Sequence, residues 1–313
     1  MAVNLHIHSI YSTGAHAFPD TIFRAAAALG LTAAVLTEHD TIASWPEARE
    51  AARAQGVETC AGVEFFTDIA AIDGNMIHLL AYMFDPDHPA VADLMKQVAA
   101  ADAAAFERVN AALAKRGIQL NEADLAAQRR KTYPEAEGKD VGGTHWMGVQ
   151  RQLARNLLRK QGGTAKQSGK FMIGSLPRTP IEKILPAIRA AGGVTIWAHP
   201  IGDARATAAL EGGGWAGTVD GARNKVVQTD WDNAMRELYE RAERLFALGV
   251  DGLEAFTRKI TPRTTEALVA FCERSGRACS GGGDTHHPNE LKNFEVPDEV
   301  FANLRAYRDR KFA

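Results

Sequence analysis

The chain is 313 residues long, 46% hydrophobic and 24% charged, with a formal net charge of -2. That much apolar sequence supports one large core, while the near-neutral balance gives no electrostatic case for extended nucleic acid or an anionic membrane as the main partner. No apolar run reaches the ~18 residues of a membrane span, no basic-then-apolar leader opens the chain, and three scattered cysteines, Cys60, Cys272 and Cys279, read as reduced thiols, so a cytoplasmic protein is expected.

Residues 3–8 predict a first strand, and 19–29 a helix with Pro19 in its first turn. Residues 33–37 (AAVLT) predict a buried strand, 45–55 a helix ended by Gly56, and 57–64 and 76–82 two further strands. The rhythm then breaks. Residues 91–116 form an Ala-rich helical stretch, followed by helices at 122–128 and 146–159. A Gly/Ser/Lys-rich run at 162–169 lacks the G-x-x-x-x-G-K-[ST] spacing of a phosphate loop and reads as a loop. Alternation resumes with a helix at 180–191 and a strand at 194–198, and a surface loop is expected at 212–220. A helix at 231–248, a strand at 252–256, a helix at 261–275 and a strand at 278–281 complete the series. Repeated strand–helix alternation implies an α/β fold around a parallel sheet, closed or open, interrupted by a helical insertion.

The strand ends share a feature. His6-Ile7-His8 ends the first strand, Thr37-Glu38-His39-Asp40 the second and Glu64 the third. His78 lies in the fourth, His199 at the end of the fifth, Glu254 in the sixth, and Asp284-Thr285-His286 after the last. Side chains two apart on a strand point the same way, so His6 and His8 reach one point in space. The C-terminal ends of parallel barrel strands gather on one face. A single strand-end histidine is as readily a hydrogen-bonded structural residue; the ordered set is the signal. Imidazole and carboxylate without thiolate suit Zn, Mn or Fe. Six histidines with several carboxylates exceed the needs of one ion, so two or three ions sharing a bridging carboxylate, Glu64, are expected.

Together NLHIHS, LTEHDT, AGVEF, MIHLLAY, AGGVTIWAHP and GGGDTHHP resemble the PHP (polymerase and histidinol phosphatase) family, in its stand-alone bacterial phosphoesterase form, over about residues 3–82 and 176–290. The resemblance implies a distorted (β/α)7 TIM-like barrel from residues 1–90 and 176–313, with the insertion 91–175 capping the site. It implies two or three divalent metal ions (Mn, Zn or Fe): His6, His8, Glu64 and Asp284 as ligands of one, Glu64, His78 and His199 of a second, and His39 and His286 of a third. Three departures stand out. Thr13 occupies the place of a usual metal-binding aspartate, with His16 a candidate replacement as ligand or catalytic group. Glu38 replaces the aspartate of T-D-H and sits behind His39. Gly143-Thr144-His145 replaces R-x-H, which keeps His145 for substrate but lacks the arginine, leaving Arg178 and Arg258 as candidates to meet phosphate. His39, His286 and His16 are candidate general acids. Asp40 either orients His39 or caps a helix.

The expected activity is hydrolysis of a small phosphomonoester, a nucleotide or a sugar or metabolite phosphate, through a hydroxide bridging the metals. The alternatives are a phosphodiesterase or cyclic-phosphate hydrolase, an amidohydrolase-type C–N hydrolase, and a metal-binding PHP module with weak chemistry. The expected partner is a small phosphorylated substrate, not a membrane or extended nucleic acid; the oligomeric state stays open.

Overall fold

The computed structural model describes residues 2–69, 76–136, 142–162, 178–200, 231–258, 260–294 and 296–313, with the backbone alone for 76 and 142–145. In chain order these form β1 (Ala2–Ile7), α1 (Pro19–Ala28), β2 (Leu31–Leu36), α2 (Trp45–Gln55), β3 (Gly62–Asp68) and β4 (Met76–Tyr82). The insertion carries α3 (Pro89–Ala114), α4 (Glu122–Thr132) and α5 (Gly142–Lys160). Then follow β5 (Thr179–Pro180), α6 (Ile181–Ala190), β6 (Val194–Trp197), α7 (Trp231–Leu248), β7 (Gly252–Thr257), α8 (Pro262–Arg274), β8 (Ala278–Gly282), β9 (Val296–Pro297) and α9 (Glu299–Phe312). Of the loops expected at 162–169 and 212–220, all but Gly162 lies outside the described residues. No described helix is long and apolar enough to cross a membrane.

The strands make two open sheets, not the closed seven-stranded barrel that the sequence suggested. One has the order β2-β1-β9 and the other β5-β3-β4-β6-β7-β8. Isolated parallel bridges join their edges at Ile7–Thr285, Ala33–Glu58 and His39–Glu64. Nor is the larger sheet all parallel, because β4 runs antiparallel to both β3 and β6. The cause is chain length. Seven residues, 69–75, separate β3 from β4, whereas a parallel crossover needs a dozen or more. The reversal has a functional consequence: Phe66 of β3 pairs with His78 of β4, so His78 reaches the C-terminal end of β3 from the start of its own strand.

Both faces of the sheets are buried. Val63, Phe65, Ile77 and Leu79 pack against Val91, Leu94 and Val98 of α3, Ile184 and Ile188 of α6, and Leu238 and Leu245 of α7. On another face Val3, Leu5, Val35, Leu80 and Ile196 meet Phe301 and Leu304 of α9. Ile7 and Leu36 pack with Phe23 of α1 and Ala48 and Ala52 of α2. Farther along the insertion, Val109 and Leu113 of α3 pack with Ala154 and Leu158 of α5. Ile10 and Tyr11, in the loop after β1, pack with Leu125, Tyr133 and Val149. The insertion is therefore seated on the segment that follows His8.

Candidate metal centre

β1 delivers His6 and His8 to one side, as period-two alternation requires, and both are buried. β3 supplies Glu64, 1% exposed. Its Oε2 lies 3.3 Å from His6 Nε2, 3.3 Å from His8 Nε2 and 3.1 Å from His39 Nε2. Its Oε1 lies 2.9 Å from His78 Nδ1 and 3.1 Å from His199 Nε2. Asp284 Oδ1 stands 3.4 Å from His8 Nε2 and 3.8 Å from His6 Nε2, and the His286 ring lies tilted against that of His8 with centroids 4.3 Å apart. The sheet reversal at β4 and the bridges at the sheet edges thus bring eight residues from distant segments to one focus.

The donor atoms sort into three overlapping groups, each within 4.8 Å: His6, His8 and Glu64; Glu64, His78 and His199; and His8, His39 and His286. Glu64 and His8 are each shared by two groups. His6 Nε2, His8 Nε2 and Glu64 Oε2 are buried and face one another without completing a hydrogen bond. Buried polar atoms are normally satisfied, and lone pairs converging in this way fit divalent cations as the common partner.

Surrounding groups set the imidazole tautomers. Glu254 Oε1 accepts from His6 Nδ1 at 3.0 Å, which leaves the Nε2 lone pair facing Glu64. The other Glu254 oxygen accepts from the His199 backbone N–H at 2.7 Å. Ser12 donates its hydroxyl proton to Glu38 Oε2, so toward His8 Nδ1, 3.3 Å away, it acts as acceptor. The His39 N–H also donates to Ser12, at 2.9 Å, and Ser9 binds Glu38 through both its N–H and its hydroxyl. Glu38 thereby braces the loop that holds His8 and His39. Asn4 ties β1 to the Asp284 loop, accepting from the N–H groups of His6 and Gly283. Three of the four non-glycine residues with positive φ among the described residues, Asp40, His199 and Asp284, belong to this region. Such strain concentrates at functional sites.

The electrostatics follow from the crowding. Burial opposes ionisation of Glu64, but His6 and His78 outweigh it and hold the carboxyl well below the usual range. Asp284 is likewise held low against burial by His8 and His6. Burial disfavours charge on His6, yet Glu64 and Glu254 raise its pKa well above the ordinary value. Burial and the neighbouring His8 lower His39 to about 3 and His286 to about 4. Both are neutral imidazoles at neutral pH, the form a metal takes as ligand.

Other sequence-derived candidates fall elsewhere. His16 is 45% exposed, pairs with Glu135 at 3.0 Å and stacks on Tyr133, so it docks on the insertion instead of joining the donor groups. Thr13 packs against Gly148 of α5, where an added Cβ would come within 2.3 Å of the Thr13 hydroxyl. Arg258 donates to the Asp284 carbonyl at 2.8 Å and pairs with Glu290 at 3.4 Å. Arg178 immediately precedes β5, which pairs with the end of β3. His145 lies in the first turn of α5, its side chain outside the described residues. Asp40 does not cap a helix; its Oδ1 accepts from the Phe66 N–H at 3.0 Å. Sequence reasoning passed over Ser9, Ser12 and the bracing role of Glu254. The signal for Glu254 was a carboxylate between Leu253 and Ala255 in a buried strand.

The PHP domain model matches residues 4–131. A 5′-3′ exoribonuclease of Haemophilus influenzae is 30% identical over 201 residues, 63% of this chain and 68% of that protein. A phosphoribosyl 1,2-cyclic phosphate 1,2-diphosphodiesterase of Eggerthella lenta is 33% identical over 97 residues, 30% of this chain and 35% of that protein. Two solved structures share the fold at 21% identity and a TM-score of 0.65: one from Bifidobacterium adolescentis assigned as a metal-dependent phosphoesterase, covering 97% of this chain and 96% of that one, and an amidohydrolase from Chromobacterium violaceum, covering 98% and 97%. With more than two thirds of the exoribonuclease matched at that identity, and the domain model aligned from β1 through α4, the chain belongs to the PHP domain family.

Proposed function

We propose that the protein is a metal-dependent phosphoesterase whose substrate is a small phosphomonoester, a nucleotide or a sugar phosphate, and whose ions are Mn, Zn or Fe. One observation carries the proposal: both oxygens of the buried Glu64 carboxylate are ringed by five imidazole nitrogens at 2.9–3.3 Å. His6, His8, Glu64 and Asp284 would hold one ion, Glu64, His78 and His199 a second, and His39 and His286 with His8 a third. Ions in that cage supply Lewis acidity to phosphate oxygens and to the attacking water.

The chain's own residues do the rest. Glu64 fixes the spacing of the cage by offering one oxygen to each half. Glu254 and Ser12 hold His6 and His8 with their Nε2 lone pairs inward. Arg258 steadies Asp284 through its carbonyl, and Arg178, beside the end of β3, is the candidate to meet a phosphate oxygen. His39 and His286, being neutral, serve as ligands more readily than as proton donors. His16, turned toward Glu135, stands apart from the chemistry.

A diester substrate is the second reading, favoured by the names of the two relatives, an exoribonuclease and a cyclic-phosphate diphosphodiesterase. Turnover of p-nitrophenyl phosphate against bis-p-nitrophenyl phosphate separates the two. Manganese-dependent release from the monoester, abolished by a chelator, is the expected result. Faster release from the diester would move the assignment to the second reading. No release from either with Mn²⁺, Zn²⁺ or Fe²⁺ would remove both.

A further inference from the structure

Asp284 and His286 sit in the segment after β8, and the two ends of that segment are held by different partners. Residues 283–285 are tied to β1. The Gly283 N–H donates to Asn4 Oδ1 at 3.1 Å, the Thr285 N–H to the His6 carbonyl at 3.1 Å, and the His8 N–H to the Thr285 carbonyl at 2.8 Å. From His286 onward another pair takes over: Arg258, the residue after β7, and Glu290, in a short 3-10 helix over Pro288–Asn293. Arg258 Nη2 donates to the Asp284 carbonyl at 2.8 Å, and its Nη1 lies 3.4 Å from Glu290 Oε2. The same Glu290 oxygen accepts from the His286 N–H at 3.0 Å and from the His287 N–H at 3.3 Å. The Asp284 carbonyl also lies 3.2 Å from His286 Nδ1. A carbonyl only accepts, so Nδ1 carries the proton and Nε2 keeps its lone pair. One guanidinium thus holds His286 twice, through the carbonyl that its ring bonds to and through the carboxylate that its backbone bonds to. The rigid fork of arginine suits it to span both. Asp284 itself has a φ of +47°, a conformation that persists only where the surroundings over-determine it.

We propose that Arg258 and Glu290 are positioning residues that clamp His286 with its Nε2 toward the cation it shares with His8 and His39, and so set the affinity of that ion alone. The inference rests on the metal-dependent reading and deepens it. Neither residue reaches the ion or the substrate; both act through His286. The ions on Glu64 keep their own ligands, because His6, His8, His78 and His199 stand on strands or at strand ends, and Asp284 stays tied to β1 through Gly283 and Thr285.

The test strips the full chain with a chelator and titrates Zn²⁺ back against a chromogenic chelator, in the wild type, R258M, R258K, E290Q and R258M/E290Q. H286A identifies the binding step that belongs to His286. R258M and E290Q should weaken that step by about 10- to 100-fold, as loss of an outer partner does, and leave the other steps unchanged. R258K should recover part of the loss, because a single ammonium replaces a fork that spans two acceptors. The double variant should bind no more weakly than the weaker single one, since both changes break one clamp. Arg258 and Glu290 are 26% and 36% exposed, so the variants are expected to fold; should R258M fail to, R258K and E290Q carry the test. Unchanged binding at every step, equal weakening of all steps, or losses that multiply in the double variant would overturn the clamp. A role in folding alone would lower the thermal midpoint of the metal-free variants with every binding step intact, which also overturns it. Wild-type protein that takes up no Zn²⁺ would end the metal-dependent reading and this inference together. Uptake that H286A leaves unaltered would end this inference and spare that reading.

Discussion

Glu64 shows how one side chain sets the chemistry of the centre. It is buried, ringed by imidazole nitrogens and offers an oxygen to each of two donor groups. Changing Glu64→Gln keeps the shape but puts amide protons among nitrogens whose lone pairs face inward. Metal bound per chain should drop, and turnover should fall by orders of magnitude; near-wild-type values of both would mean that the carboxylate is not a shared ligand. Glu254 tests a subtler point, because it touches the cage only through His6 and the backbone of His199. Outer partners of this kind typically control metal affinity by about 10- to 100-fold. Glu254→Gln should therefore weaken metal binding by that factor in a chelator competition while the far-UV spectrum stays unchanged. Unaltered affinity would reduce Glu254 to a packing residue.

Between elements, the decisive contact is that of α5 with the loop after β1. Glycine at 148 is needed because the Thr13 side chain occupies the space where a Cβ would go, with its Oγ1 2.3 Å and its Cβ 2.9 Å away. G148A should overpack this seam and destabilise the protein by about 1–3 kcal/mol, and T13G in the same chain should recover most of the loss. Equal destabilisation in the single and double variants would show that the helix and the loop are independent. This seam was invisible in the sequence, where Thr13 read as a defective ligand position and Gly148 drew no notice. The elements themselves were legible: α2, β4 and α7 fall where apolar periodicity and flanking Gly or Pro place them. The direction of β4 was misread, although the short 69–75 connection forbade a crossover. α9 was missed because its buried Val300, Phe301 and Leu304 are embedded in a highly charged segment. That helix is anchored by side chains instead: Lys311 donates to Asp251 at 2.8 Å and Arg308 to the Gly192 carbonyl at 2.8 Å.

Across the whole molecule, the metal centre is also a junction. Its residues come from β1, β3 and β4, from the ends of β2 and β6, and from the segment after β8, so they span both open sheets. The sequence revealed this set because six histidines recurred at strand ends, a pattern that periodicity alone could expose. It did not reveal the meeting of Arg258 and Glu290 at His286, since an arginine after one strand and a glutamate beyond the next look like ordinary surface charges until the fold brings them together. Cations bound only by the folded state stabilise it by mass action, about 2.7 kcal/mol for one site at a free concentration a hundred times its Kd. In a chain of this size each kcal/mol moves the thermal midpoint by roughly 2 °C, so a single filled site should raise it by about 5 °C, and two or three sites by more. Scanning calorimetry of chelator-treated protein, with and without Mn²⁺ or Zn²⁺ restored, reads this directly. The H6A variant, which takes one wall from the cage, should show a smaller rise than the wild type. A wild-type midpoint indifferent to chelator and to both ions would mean that the imidazoles around Glu64 hold the two sheets together by themselves, and the metal assignment would fall with it.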